Sequence, residues 1–177
     1  MTKQELRQLI RQRKQQHSAA ESAAIIGHLR QNPHFRDAHT LLLYSALPDE
    51  VDTLPLLDEL TPQGKTILLP RVTSSTEMEL RRYTGRHDLQ PGAFGIMEPM
   101  GNLFTDYDSI DVAVIPGMAF DLNCHRLGRG RGYYDRFLSR FSPQTSHLYK
   151  IGLCFPFQLV DEVPTDANDV LMDCVIS

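Results

Sequence analysis

Residues 116 to 138 have the sequence PGMAFDLNCHRLGRGRGYYDRFL, and this stretch decides which fold we expect. It follows an apolar run, Val112 to Ile115, whose length and composition are typical of a buried strand. Near its end and just beyond, apolar side chains fall at helical spacing, at Tyr134, Phe137, Leu138 and Phe141. The stretch is therefore predicted to connect a buried strand to a helix.

Glycines 128, 130 and 132 alternate with arginines in this connection. Glycine lets the backbone approach an anion, and the free N–H groups at a helix start point toward it, so α/β proteins often hold phosphates at such turns. The loop lacks the Gly-Lys-Ser/Thr of a Walker A motif, and its GxGxG spacing differs from the GxGxxG of dinucleotide-binding folds. From the glycines alone, phosphate binding and a plain strand-to-helix turn are equally good interpretations.

The arginines favour phosphate binding. Arg126, Arg129 and Arg131 would bring three guanidinium groups into one loop, where a polyphosphate offers bidentate partners. Asp135 would lie in the first turn of the helix. A carboxylate there either helps to hold Mg²⁺ beside a triphosphate or is an acid favoured by the helix dipole, and position alone leaves both interpretations open.

Composition sets wider bounds. The chain has 177 residues, of which 41% are hydrophobic and 23% charged, and its net charge is −4. A mildly acidic chain argues against a protein that coats nucleic acid. No apolar run approaches the roughly 18 residues of a membrane helix, and no secretory signal is visible, so we expect a cytoplasmic protein without a membrane partner.

The cysteines and histidines argue against two further kinds of site, a disulfide framework and a structural zinc site. Three widely spaced cysteines, Cys124, Cys154 and Cys174, suggest reduced thiols rather than a disulfide framework. The seven histidines show no HExxH or HxxxH pairing, which argues against a structural zinc site.

Helical segments alternate with short apolar strands along the chain, which predicts an α/β fold with a largely parallel sheet and helices on both faces, a Rossmann-like three-layer sandwich. We expect a single domain over residues 1–177. Residues 72–110 are less regular, and form either a loop lobe that closes over a ligand or a linker, with a strand near 80–83. Predicted helices cover 2–16, 18–31, 53–60 and 133–141; predicted strands cover 40–44, 66–69, 111–115, 147–154 and 170–176.

Two Ser/Thr-x-x-Glu capping boxes, Thr2 with Glu5 and Ser18 with Glu21, mark the first two helix starts. On the first helix, Lys3 and Arg7 lie one turn apart on one face. Either this is a solvated surface helix, or its Lys3 and Arg7 present two positive charges to a bound anion.

Five motifs in order along the chain resemble those of the 5-formyltetrahydrofolate cyclo-ligases, also called 5,10-methenyltetrahydrofolate synthetases. The central stretch resembles the family's PGxxFDxxGxRLGxGxGYYDxxL, and the resemblance spans nearly the whole chain. The other four are Lys3 to Arg7 (K-x-x-L-R), the loop Asp49-Glu50-Val51-Asp52-Thr53 (E-[IV]-x-T), Leu69-Pro70-Arg71 (L-P-R), and Asn168-Asp169 with Asp173 (N-D-x-x-x-D).

The resemblance implies an ATP- and Mg²⁺-dependent ligase of one-carbon folate metabolism that converts 5-formyltetrahydrofolate, with or without a polyglutamate tail, to 5,10-methenyltetrahydrofolate. It implies a monomer that binds no nucleic acid, with Arg129, Arg131 and Tyr133 as catalytic residues and Asp135 and Asp169 as Mg²⁺ ligands. Folate would contact Ser45, Glu50, Arg129, Gly130, Arg131, Gly132 and Tyr133. ATP would contact Lys3, Gln4, Glu5, Leu6, Arg7, Arg126, Leu127, Gly128, Arg129, Gly130, Arg131, Gly132, Tyr133 and Tyr134.

One position departs from the family pattern. Cys124 stands where the family usually has glycine, which there would serve a tight turn with positive φ. Such a turn costs a cysteine about 1 kcal/mol or more, so we expect the turn to be rearranged and the site retained. Cys124 is either a tolerated substitution or, beside the arginines, a reactive thiol with a lowered pKa.

Two other functions remain open. One is a family member that has lost catalysis and only binds folate or nucleotide, with Cys124 as a mark of decay; the intact glycines, arginines and acids argue against it. The other is a single-stranded nucleic-acid module that uses the RGRGRGYY segment, which the net acidity disfavours.

Overall fold

The computed structural model describes residues 1–13, 18–92 and 95–177. No helix in these ranges is long and apolar enough to cross a membrane. The helices are α1 Lys3–Arg13, α2 Ala19–Gln31, α3 Pro33–Asp37, α4 Leu54–Leu60 and α5 Tyr133–Leu138. The strands are β1 Thr40–Leu42, β2 Thr66–Val72, β3 Met78–Tyr83, β4 Leu89–Pro91, β5 Met97–Pro99, β6 Leu103–Phe104, β7 Val112–Ile115, β8 Ala119–Phe120, β9 Arg126–Leu127, β10 Tyr149–Leu153 and β11 Cys174–Ile176.

A seven-stranded sheet runs through the molecule in the order β11-β10-β7-β1-β2-β3-β6. The first five strands are parallel, and β3 and β6 are antiparallel additions at one edge. At the centre, Leu41 of β1 pairs with Val112 on one side and Ile67 on the other. The prediction of an α/β fold with a largely parallel sheet is confirmed.

Both faces of the sheet are covered, because successive side chains of a strand point to opposite faces. Leu41 and Leu43 pack in the core formed with α2, α3 and α4, whereas Leu42 packs in the core on the α5 side. All three leucines are fully buried. The three-layer arrangement is therefore also confirmed.

Both predicted capping boxes are present. The Glu5 N–H donates to Thr2 Oγ1 at 3.2 Å, and Ser18 and Glu21 cap α2 in the same reciprocal way. The first helix is described only to Arg13, and the rest of its predicted length, positions 14–16, lies outside the described residues. Asn32 ends α2 as predicted, but its Oδ1 also accepts the Phe35 N–H and so begins α3, a short helix that the sequence pattern did not indicate.

Strands β1 and β2 differ from their predicted bounds. β2 is longer than expected and continues through Pro70, because β3 pairs with it from Ile67 to Val72. β1 is shorter, because the chain leaves the sheet after the bond from the Leu43 N–H to the Leu68 carbonyl, and the Tyr44 carbonyl accepts the Thr53 hydroxyl. Residues 72–110 are not a linker, since β3 and β6 extend the sheet and β4 pairs with β5 in a separate hairpin.

The central stretch contains an element that the sequence did not predict. β8 and β9 form a two-stranded hairpin, so the strand β7 does not pass directly into α5. α5 ends at Leu138 rather than near Phe141, although the Phe141 ring still lies 5.5 Å from that of Phe137. The glycine loop therefore connects a hairpin to a short helix.

Cys124 lies in the turn of this hairpin with φ of +66°, the one positive φ among the described residues other than glycine. The Asp121 carboxylate fixes the turn, because its Oδ1 accepts the N–H groups of Asn123 at 2.9 Å and His125 at 3.0 Å. The expected rearrangement of the turn is wrong, because Cys124 keeps the left-handed backbone conformation. Cysteine adopts it at a cost that glycine would not bear.

Substitution of Cys124 tests this cost. We expect Cys124→Gly to exceed Cys124→Ala in free energy of unfolding by about 1 kcal/mol, because both remove the thiol but only glycine relieves the left-handed conformation. Urea denaturation of the two variants measures the difference. Equal stabilities, or a more stable alanine variant, would contradict a strained turn.

Candidate functional site

The candidate site lies at the carboxyl ends of the parallel strands. From β1 the chain moves to β2 on one side, whereas from β7 it moves to β10 on the other, so the direction of winding changes between β1 and β7. Open α/β sheets bind ligands at such a switch point. Here the loop after β1, residues 43–53, meets the segment after β7, residues 116–132.

Arg129 joins these two loops through two carboxylates. Its Nη2 donates to Asp49 Oδ1 at 2.7 Å and to Glu50 Oε1 at 3.0 Å. Its Nη1 and Nε donate to the same two carboxylates at 3.3 Å each. The guanidinium therefore bridges adjacent acids that lie about 80 positions earlier in the sequence.

Glu50 is the buried member of this cluster, with 9% of its surface exposed. Its Oε2 accepts the Leu47 N–H at 2.9 Å. Burial raises the pKa of Glu50, and the Leu47 N–H and Arg129 oppose that rise only in part. Burial followed by the charge of Glu50 also raises the pKa values of Tyr44 and Tyr134, so the carboxylate faces a poorly solvated region.

Helix α1 reaches the glycine loop from the other side. Arg7 Nε donates to the Gly128 carbonyl at 2.9 Å. Leu6 and Ile10 pack in one cluster with Met118, Ala119 and Leu127 of the hairpin region. Gly130 and Gly132 have φ of +107° and +70°, which explains why glycine occupies both positions. The helix is therefore docked against the loop rather than lying free on the surface.

Lys3 binds acids from the C-terminal part of the chain. Its Nζ lies 2.6 Å from Asp166 Oδ2 and 2.7 Å from Asp169 Oδ1. Burial alone would lower the pKa of Lys3, but the bonds to the two carboxylates outweigh it and the pKa is raised overall. Lys3 and Arg7 share a helix face as predicted, yet they contact different partners.

Arg126 points into the loop and not toward its surface. Only 5% of the residue is exposed. Its Nη1 donates to the Pro116 carbonyl at 3.1 Å, its Nη2 contacts Asp135 Oδ2 at 3.1 Å, and its guanidinium lies 5.5 Å from the centre of the Tyr134 ring. The three guanidinium groups of the loop are thus not gathered at one point, contrary to the simple expectation, because Arg126 and Arg129 satisfy their charges in different directions.

Asp135 and Asp169, the predicted metal ligands, are brought near each other. Asp135 Oδ1 accepts the N–H of Val170, the residue after Asp169, at 3.3 Å. Each carboxylate binds a side-chain cation, Arg126 or Lys3. Among the described residues there is no group of three or more His, Cys, Asp or Glu side chains that could hold a metal, so a cation here would take its remaining ligands from phosphate or water, as Mg²⁺ commonly does.

Other predicted site residues have structural roles in this arrangement. Tyr133 donates its hydroxyl hydrogen to the Ser74 carbonyl at 3.1 Å, and the Arg136 guanidinium lies 5.6 Å from the centre of its ring. The Arg131 carbonyl accepts Arg136 Nη2 at 2.6 Å. Ser45 is half-buried in the loop after β1. Leu6 and Leu127 are core residues, Glu5 is part of the α1 cap, and Gln4 is exposed.

Sequence reasoning assigned no role to three residues that contact the predicted site. Asp49 binds Arg129, Asp166 binds Lys3, and Arg136 holds the Arg131 carbonyl. Asp49 could have been found from the three acids that lie together at 49–52. Asp166 could have been found from its Asp-x-x-Asp spacing with Asp169. Nothing in the pattern separated Arg136 from an ordinary helix-surface arginine.

The hypothesis of a reactive Cys124 is wrong. Burial raises the pKa of its thiol, and the carboxylates of Asp121 and Asp173 add to the rise. The arginines that were expected to lower it point toward Asp135 and Glu50 instead. Cys124 is therefore a poor nucleophile at neutral pH.

A cavity of about 270 Å³ opens beside the Arg129 cluster. Polar atoms of Asp49, Arg129 and Gln158 and apolar atoms of Met118 and Phe157 line it, together with Ile10 and Arg11 of α1. This mixture of charged and apolar walls suits a ligand with both a flat apolar part and hydrogen-bonding groups.

Replacement of Arg129 should make stability depend on pH through Glu50. In Arg129→Gln the pKa of the buried Glu50 rises further, so the folded variant holds a proton that the unfolded chain, with a carboxyl pKa of about 4.3, releases. Stability is therefore lost as pH rises through the raised pKa. We expect a deficit in unfolding free energy of about 1–3 kcal/mol near pH 8 that shrinks toward pH 5.

Denaturant titrations at the two pH values measure this deficit. The control is Arg140→Gln, which breaks an ion pair to Glu77 in which both side chains are more than 40% exposed. Such a pair contributes at most about 1 kcal/mol, with no buried carboxyl to shift. A deficit for Arg129→Gln that is the same at both pH values would contradict the link to Glu50.

Comparison with known proteins shows the family of the chain. A family model described as the 5-formyltetrahydrofolate cyclo-ligase family matches residues 1–177. A 5-formyltetrahydrofolate cyclo-ligase from Haemophilus influenzae is 32% identical, over 92% of this chain and 87% of that protein, and one from Mus musculus is 28% identical, over 98% and 88%. The solved structure of the Aquifex aeolicus 5,10-methenyltetrahydrofolate synthetase superposes with a TM-score of 0.83 at 35% identity, over 99% of this chain and 89% of that one. The chain belongs to the 5-formyltetrahydrofolate cyclo-ligase family.

Proposed function

We propose that this chain, acting as one domain, closes the ring of 5-formyltetrahydrofolate with ATP, giving 5,10-methenyltetrahydrofolate, ADP and phosphate. One observation carries the proposal beyond family membership. Arg129, from the loop that would cradle phosphate, contacts Glu50, the buried acid that would hold the pterin. The two substrates would therefore meet at one guanidinium.

The chemistry needs activation of a formamide oxygen, which is a poor leaving group. The formyl oxygen attacks the γ-phosphorus of ATP, the bond from that phosphorus to the β–γ bridging oxygen breaks, and ADP leaves. The folate N10 then attacks the formyl carbon and loses its proton, and the C–O bond breaks to release phosphate. The formyl oxygen ends in the phosphate, and the enzyme forms no covalent bond to either substrate.

The side chains serve this reaction by positioning and by charge. Glu50 accepts hydrogen bonds from the pterin in a poorly solvated region, which strengthens them. Arg129 and Arg131 are suited to the phosphoryl oxygens, with Tyr133 at the start of α5 beside them. The backbone of residues 128–132 approaches the phosphates closely because two of its glycines adopt positive φ.

Mg²⁺ fits the acids present, because hard carboxylate oxygens suit it and one or two suffice. Asp135 and Asp169 would hold the ion, whose charge would offset that of the triphosphate. Both carboxylates bind chain cations in this structure. Lys3 contacts Asp166 as well as Asp169, so its charge would stay beside the site if Asp169 served the ion.

A direct assay tests the proposal. Purified protein with MgATP and 5-formyltetrahydrofolate should generate the ultraviolet absorbance of the methenyl product, with one ADP formed per product. If the formyl oxygen carries ¹⁸O, the label should appear in the released phosphate. Folate binding without product would instead indicate the family member that has lost catalysis, and label that stays out of phosphate would contradict phosphoryl transfer to the formyl oxygen.

Substitutions at the two charged sites should remove turnover while the fold survives. We expect Asp135→Asn and Arg129→Gln each to lower kcat by about 10²-fold or more, because each removes a charge that the transferred phosphoryl group needs. The exposed Arg140→Gln serves as the matched control and should retain wild-type turnover. Near-normal rates in both site variants would overturn the assignment of these residues.

A further inference from the structure

We propose that Asp49 is a positioning residue that keeps Arg129 in the site when folate occupies Glu50. The inference rests on the proposed function and concerns an acid to which neither the family motifs nor the sequence pattern gave a role. It starts from the sharing of one guanidinium between two adjacent carboxylates.

The two carboxylates hold Arg129 in different ways. Asp49 receives two separate donors, Nη2 at 2.7 Å and Nη1 at 3.3 Å, one on each of its oxygens. Glu50 receives Nη2 and Nε on the single oxygen Oε1, since its other oxygen accepts the Leu47 N–H. Asp49 thus binds the guanidinium in a bidentate manner through both of its oxygens, whereas Glu50 binds it through Oε1 alone.

A pterin that donates hydrogen bonds to Glu50 must therefore compete with Arg129 for Oε1. If Glu50 were the one acid within reach, Arg129 would either remain on it and exclude the pterin or leave it without a partner. Asp49 removes this conflict, because its fork can keep Arg129 beside the cavity while Oε1 changes partners. Asp49 and Arg129 both line that cavity, whereas Glu50 lies in the protein interior.

The charge of Asp49 also acts on Glu50 directly. It raises the pKa of Glu50, in the same direction as burial, and Arg129 acts in the opposite direction. The phenols of Tyr44 and Tyr134 are the other titratable groups that face Glu50. Without the Asp49 charge, Arg129 would be paired with Glu50 alone, and the pKa of Glu50 would fall.

Asp49→Asn should change both the affinity for 5-formyltetrahydrofolate and the pH dependence of its binding. The dissociation constant of 5-formyltetrahydrofolate should rise about fivefold, because Arg129 then competes more strongly for Glu50. The acid limb of its binding curve against pH should move to lower pH, because binding needs ionised Glu50 and the pKa of that group has fallen. A residue that only supports the loop would weaken binding without moving the limb in this direction.

Titration calorimetry of the full chain with 5-formyltetrahydrofolate between about pH 5 and 8 measures both quantities. The matched control is Asp52→Asn, the same change in the same loop at an exposed acid whose Oδ1 caps Leu54, a role asparagine can keep. In an Arg129→Gln background, Asp49→Asn should no longer weaken binding, since the competition for Glu50 that weakens it acts through Arg129.

Each result decides a different point. If the wild-type chain fails to bind 5-formyltetrahydrofolate, the proposed function itself fails. If the wild type binds it and Asp49→Asn matches Asp52→Asn in affinity and acid limb, only the role of Asp49 is overturned. Should Asp49→Asn not fold, Asp49→Glu keeps the charge and must retain an unshifted acid limb for the proposal to stand.

Discussion

Charges withdrawn from water at the carboxyl edge of the sheet require partners, and this requirement holds the site together. Arg129 pairs with Glu50 and Asp49, and Lys3 pairs with Asp169. These pairs connect the first helix, the loop after β1, the glycine loop and the C-terminal segment. Breaking one partner of a buried pair is costly because it leaves an uncompensated charge. The segments are therefore fixed relative to one another before any ligand arrives.

Under the proposed function, the same pairs would exchange partners when a ligand binds. A carboxylate already neutralised by a lysine or an arginine can accept another cation or donor at lower cost than one that stands alone and protonated. Glu50 illustrates this, since burial raises its pKa while Arg129 opposes the rise.

The sequence predicted the parts of the structure that depend on local pattern. The capping boxes at Thr2 and Ser18 follow from residue type and spacing, and the buried strand Val112–Ile115 follows from four apolar residues in succession. Each of these signals lies within a few residues of the feature that it specifies.

The directions of the arginines could not be predicted in this way. Arg126 and Arg129 are three positions apart in a loop without regular geometry, and one turns inward to Asp135 while the other crosses to Glu50. The hairpin β8–β9 precedes the loop that carries Arg129 and positions it, and no pattern in the sequence indicated that hairpin. The assembled fold decides which side chains pair over long distances in the sequence. Residue type therefore predicted which positions are charged, but it did not predict which acid each arginine contacts.

The contact between Lys3 and Asp169 spans 166 positions of a chain of 177 residues. The strand β11, which closes one edge of the sheet, lies still nearer the C-terminus. A contact between segments so distant in sequence carries a large cost in loop-closure entropy, so we expect this part of the site to assemble after the sheet between them. The lysine of α1 therefore finds its partners late in folding, and this half of the site depends on the sheet having formed.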